Sequence, residues 1–95
     1  MTEDLTAFQR QALADVSGAL AVAGLKPESL QTLGNREKYL VISFSGYRVI
    51  LYLDGAEILG NGLDLRFEKE DFENLELLRR QLLTELLPLI EQAHR

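Results

Sequence analysis

This chain has no cysteine, a single histidine and fewer cations than anions. The missing cysteine removes disulfides, thiolate metal ligands and a thiol nucleophile together, and it suits a reducing compartment. The lone histidine, His94, is one residue from the end of the sequence. Catalysis or metal binding needs a histidine held by positioned partners, and chain ends tend to fray. Ser-His-Asp and Cys-His catalysis are therefore excluded. Ten Lys and Arg stand against fifteen Asp and Glu, a net charge of −5. Nucleic-acid binding leaves a basic footprint, whereas the cations here are scattered and only Arg79-Arg80 are adjacent. Duplex nucleic acid and anionic membrane are both poor partners for such a chain.

Long apolar runs are missing as well. No segment approaches the ~20 apolar residues that cross a bilayer. The first ten residues, MTEDLTAFQR, are acidic where a secretory signal would be basic. The expectation is a cytoplasmic protein.

At 95 residues the chain reads as one domain, 1–95, large enough to bury a core without staples. Thr2 to Ala23 carries Leu5, Phe8, Ala12, Val16, Leu20 and Ala23 at spacings of three and four, an amphipathic helix. Thr2 is its expected N-cap, with Glu3 and Asp4 complementing the dipole. Gly24, Leu25 and Pro27 end it. Gly18 reads as a point where another element comes close. Glu28 to Leu33 fits either a short edge strand, the reading favoured here, with Leu30 and Leu33 partly buried, or a single helical turn after Pro27, and Gly34-Asn35-Arg36 is a turn either way.

Glu37 to Asp54, EKYLVISFSGYRVILYLD, reads as two strands joined by a two-residue turn. With Ser45-Gly46 as the turn, Phe44 falls opposite Tyr47, Ile42 opposite Val49 and Leu40 opposite Leu51. That face is wholly apolar and should be core. The other face pairs Ser43 with Arg48, Val41 with Ile50, and Tyr39 with Tyr52. Asp54-Gly55 turns the chain again. Beyond it, residues 56–67 fit either one strand with a glycine bulge or two short strands turned at Gly60-Asn61-Gly62.

Glu70 to about Ala93 is the second helix, with Asp71 as expected N-cap. Phe72, Leu75, Leu78, Leu82, Leu86, Leu89 and Ala93 form its inner stripe, and Leu83, Leu87 and Ile90 a second one. Glu76 and Arg80 have the favourable i,i+4 order, and Pro88 should kink or break the helix. The expected fold class is α+β: a two-layer sandwich in the order helix, antiparallel meander of three to four strands, helix, with the helices mainly on one face.

No residue pattern carries recognisable catalysis. The cluster Glu68, Glu70, Asp71 and Glu73 lacks the loop spacing of a hard-cation site and fits an acidic helix start. Gly60-Asn61-Gly62 lacks both phosphate-loop spacings and the lysine. No catalytic residue, metal or cofactor is assigned.

The informative group is Tyr39, Val41, Arg48, Ile50 and Tyr52. Either the second helix covers this face, or it is left for a partner, where Tyr and Arg provide area and a polar handle together. A stacking platform for single-stranded nucleic acid is opposed by the acidic balance. Leu83, Leu87 and Ile90 exceed what covers a small sheet, so a second helix should pack there, from this chain or from another copy. The function expected is a non-enzymatic protein-interaction module, an adaptor, inhibitor or accessory subunit. It would act through these eight residues, as a homodimer and with a second protein. The alternative is a small-ligand domain with a pocket between sheet and helices.

Overall fold

The computed structural model describes residues 5–33 and 38–94, with 29–33 by backbone alone. Along the chain come α1 (Ala7–Val22), β1 (Ser29–Leu33), β2 (Tyr39–Phe44), β3 (Tyr47–Leu51), β4 (Gly55–Gly60) and β5 (Leu63–Glu68). A 3₁₀ turn (Lys69–Asp71) and α2 (Leu75–His94) follow. The five strands make one antiparallel meander in sequence order. Both helices lie on one face, α1 over β3 and α2 over β4 and β5. The class is α+β, helix–sheet–helix.

The β2–β3 register pairs Leu40 with Leu51, Ile42 with Val49 and Phe44 with Tyr47. Ser45 and Gly46 have φ of 47° and 85°, the left-handed pair of a two-residue hairpin turn whose twist matches its strands. Residues 56–67 are two strands and not one bulged strand. Asn61 and Gly62, with φ of 50° and 84°, make a second turn of the same kind, and Gly60 pairs with Leu63. The two turns touch, since Asn61 Nδ2 donates to the Ser45 carbonyl at 3.2 Å. Gly60 is required beside them: a Cβ there would sit 2.2 Å from the Gly46 carbonyl oxygen. Between β3 and β4 the turning residues are Leu53-Asp54, one position before Asp54-Gly55, because Tyr52 N–H already bonds the Gly55 carbonyl at 2.8 Å. With β1 paired along β2, the sheet has five strands where three to four were expected.

The core lies between the layers. Leu40, Ile42, Phe44, Val49, Leu51, Ala56, Ile58 and Phe67 from the sheet meet Phe8, Ala12, Val16 and Leu20 of α1 and Leu78, Leu82 and Leu86 of α2. Period-two alternation in the strands and three-to-four spacing in the helices bring these residues together. Ile90 joins them at 3% exposure, so it is withdrawn from the outer stripe of α2. Arg79 also ties the helices, with Nε 3.0 Å from Asp15 Oδ2 of α1.

Helix ends depart from the sequence reading. Thr2, Glu3 and Asp4 lie outside the described residues, as do the 34–36 turn and the side chains of Leu30 and Leu33. Helix α1 is capped by Thr6 in a reciprocal capping box with Gln9. It closes where Leu25 N–H reaches the Leu20 carbonyl at 2.9 Å. Gly18 has nothing within 4 Å of the position its Cβ would take, so it admits no neighbour. Asn74 and not Asp71 caps α2, accepting from Leu77 N–H at 2.9 Å. The helix runs unbroken through Pro88.

Gln9 is fully buried and links the layers. Its Oε1 accepts from Thr6 N–H at 2.9 Å, while Nε2 donates to the Lys38 carbonyl at 2.6 Å and the Leu51 carbonyl at 3.2 Å. Thr6 Oγ1 donates to the Leu53 carbonyl at 2.8 Å. One amide thus pins the start of α1 to the start of β2 and the end of β3. Gln9→Ala leaves these buried groups unpaired and should lower unfolding free energy by roughly 2–4 kcal/mol. Urea denaturation measures it, and a change below about 0.5 kcal/mol would refute the role.

Candidate functional site: the outer face of the sheet

The turns that set the inner face also set the outer one. Residues on the outer face fall into cross-strand rows. One row is Val41–Ile50–Glu57–Arg66, and the next is Ser43–Arg48–Leu59–Asp64. Tyr39 and Tyr52 follow at the end of β2 and β3, with ring centroids 5.2 Å apart and planes at 67°, an edge contact favoured by the ring quadrupoles. Both helices pack on the opposite face, so neither covers the tyrosines among the described residues.

Exposure is graded across this surface. Arg48 is exposed, and Tyr39, Ile50 and Tyr52 are half-buried. Val41 is 8% exposed yet stands outside the interlayer cluster. Of the remaining candidates, Leu83 is half-buried one turn after Arg79, on the side of α2 that faces α1, and Leu87 is exposed. Ile90 is core. The structure therefore groups Tyr39, Val41, Arg48, Ile50 and Tyr52 on one surface and places Leu83 and Leu87 on the other layer.

Glu57, Leu59, Asp64 and Arg66 share the outer face and were not among the candidate contacts, although the alternation of 63–68 already points Asp64 and Arg66 outward. Their signal was the alternation of β5, but without the Asn61-Gly62 turn its partner strand could not be assigned. Glu57 is the charged centre. The Tyr52 hydroxyl donates to its Oε1, and Arg66 Nε donates to its Oε2 at 3.1 Å. The Glu57 side chain is only 12% exposed, so its charge is shared between a phenol and a guanidinium.

That arrangement changes the phenol. Its hydrogen bond to Glu57 first, then burial, then the nearby negative charge, push the Tyr52 pKa up to about 12 from 10.0. The group resists ionisation, which suits a hydrogen-bond donor and not a base.

Among the described residues no group of three or more His, Asp or Glu could hold a metal ion. His94 ends α2, on the other layer from Glu57. Core side chains of both helices and the sheet meet between the layers among the described residues. A pocket of about 280 Å³ lies at the β3–β4 turn, lined by Tyr52, Asp54, Glu57, Arg66, Glu68 and Lys69 among others. Lys69 Nζ is 3.0 Å from Asp54 Oδ2, and this contact raises the Lys69 pKa.

No protein-family model, no curated protein and no solved structure matches this chain.

The tyrosine titration follows from the geometry. A folded pKa raised above the ordinary value contributes stability that is fully present below about pH 10 and lost as pH rises toward 12. Glu57→Gln removes the accepting carboxylate, so the highest phenolate midpoint should fall toward 10. Ultraviolet titration of the folded protein reads it, and an unmoved midpoint would contradict the assignment.

Proposed function

We propose that this chain is a small acidic protein-interaction module, an adaptor, inhibitor or accessory subunit, whose outer sheet face receives another protein. In this reading it acts in the cytoplasm, as a homodimer, and performs no catalysis. The observation that carries it is the unequal treatment of the two sheet faces. Two helices cover one, while Tyr39, Val41, Ile50, Tyr52 and Leu59 remain on the other with no layer over them among the described residues. Tyr39, Ile50, Tyr52 and Leu59 are half-buried and Val41 is 8% exposed. Aromatic residues bordered by Arg48 and Arg66 have the composition of a contact surface.

The absence of cysteine fits a reducing compartment. No helix among the described residues is long and apolar enough to cross a membrane. The charge balance disfavours nucleic acid as the occupant. Of the candidate contacts, Tyr39, Val41, Arg48, Ile50 and Tyr52 stay in the reading, and Leu87 remains as a separate exposed position.

Affinity capture of the full chain from its native cell should bring down a protein in stoichiometric amount. The double substitution Tyr39→Ala with Tyr52→Ala should abolish capture while leaving the thermal unfolding transition intact. Capture that survives would move the contact elsewhere, and a double variant that no longer folds would make the face part of the core.

A further inference from the structure

The outer face is not the only incomplete surface. Strand β5 is an edge of the sheet, six residues long with sequence LDLRFE. Proteins usually blunt such an edge with charged side chains, lysine above all, with proline, a bulge or a covering segment. β5 contains no proline or lysine, its charges Asp64, Arg66 and Glu68 are of mixed sign, and it pairs without interruption along β4 from Leu63 to Glu68. Helix α2 lies over the inner side of β4 and β5. Leu63 and Leu65 are left half-exposed at the border of the core.

The free hydrogen-bonding groups of this edge are identifiable. Gly60 and Leu63 close the two-residue hairpin, so their N–H and C=O groups face each other. Alternation then turns Leu65 and Phe67 toward β4, and Asp64, Arg66 and Glu68 outward. No hydrogen bond from the backbone of Asp64 or Arg66 to anything beyond β4 occurs among the described residues. The Asp64 carboxylate is exposed, and no ion pair holds it among the described residues.

We infer that β5 pairs antiparallel with β5 of a second copy, joining two five-stranded sheets into one of ten strands. This rests on the homodimer in the function proposed above and places its seam at the sheet edge, not on the tyrosine face. Charge and apolar pairing together select the register, since centring on Phe67 would also oppose Arg66 to Glu68 but would set Leu65 against Lys69. Outward backbone groups can meet only where residue numbers of like parity oppose each other. Centring the two-fold axis on Asp64 opposes Asp64 to itself. Centring it on Arg66 opposes Arg66 to itself and Asp64 to Glu68. Centring it on Leu65 sets Asp64 against Arg66 twice, Leu63 against Phe67 twice, and Leu65 against its own mate. Opposite charges then meet on the outer side and apolar side chains on the inner side, the pairings that stabilise a cross-strand contact. Arg66 already holds Glu57 through Nε, and its terminal nitrogens are the donors left for the facing carboxylate.

A two-fold axis normal to the sheet is the isologous symmetry of common dimers, and strand addition to an open edge is a recurrent recognition mode. It puts both outer faces on one side of the joined sheet. The tyrosine surfaces of the two copies then form one continuous platform, free for a different protein.

Sedimentation of the full chain at about 100 µM should give twice the monomer mass. Asp64→Arg gives an edge with two cations, and Arg66→Asp an edge with two anions. Each variant alone should sediment as monomer, and an equimolar mixture of the two should recover the dimer. Circular dichroism of each variant shows that it is folded. A wild-type chain that stays monomeric, variants that dimerise alone, or a mixture that stays monomeric would overturn the register. The Tyr39→Ala/Tyr52→Ala variant should keep its dimer while losing captured protein. If it becomes monomeric instead, the seam is the face, not the edge.

Discussion

Three successive two-residue turns hold this protein in phase, and everything else depends on that. Ser45-Gly46, Leu53-Asp54 and Asn61-Gly62 each join neighbouring strands with no residue to spare. Side chains alternate with a period of two, so a slip by one position would exchange the inner and outer sets on every strand it reached. With the turns fixed, Ile42, Val49, Ile58 and Leu65 share a row on one side, and Val41, Ile50, Glu57 and Arg66 share a row on the other. The helices then have only one face to cover. Gln9 fixes how α1 meets that face, through carbonyls at the ends of β2 and β3. A buried amide tolerates few placements, because a misplaced one leaves donors and acceptors unpaired.

Phase also explains why the protein has surfaces to offer. Two helices are enough to cover one side of a five-stranded sheet. The outer side keeps Tyr39, Val41, Ile50, Tyr52 and Leu59 among polar neighbours, and its charges are arranged around Glu57 between Tyr52 and Arg66. The meander leaves β5 open at one margin, with Asp64 and Arg66 flanking Leu65. One constraint, the turn parity, thus sets the interior, the exposed face and the pattern along the edge. Rows of side chains that would be unremarkable singly become a surface because the turns hold them in line.

Much of the architecture was legible in the sequence. The register of β2 and β3 follows from one turn and a run of alternating residues, and strong β-formers left no competing period. The helix stripes at Phe8, Ala12, Val16 and Leu20, and at Leu78, Leu82 and Leu86, are visible for the same reason. Helix starts were less legible. Acidic residues at 3, 4, 70 and 71 point to early starts, whereas the actual caps are Thr6 and Asn74, whose side chains reach the free backbone N–H groups of the first turn. The Thr6-x-x-Gln9 pattern was the available sign. Of the site, Tyr39, Val41, Arg48, Ile50 and Tyr52 could be placed because their strands pair through an adjacent turn. Asp64 and Arg66 read as outward from the alternation of 63–68, but they, Glu57 and Leu59 could not be joined to this face, because Gly60-Asn61-Gly62 is compatible with a bulge as well as a turn. Tertiary proximity decides between them: Asn61 reaches Ser45, sixteen positions earlier. Ile90 was misplaced because the core is wider at the end of α2 than a single stripe allows.

The most direct test of this phase uses the absence of native cysteine. Single substitutions Arg48→Cys, Val49→Cys, Ile50→Cys and Leu51→Cys place one thiol at each successive position of β3, and the native protein is treated with a thiol reagent. The turns place positions 48 and 50 on the open face and positions 49 and 51 in the core, where both native residues have 0% exposure. The account predicts fast labelling at 48 and 50 and labelling only at the rate of unfolding at 49 and 51. Similar rates at all four positions, or protection of 48 and 50 with reactive 49 and 51, would contradict it.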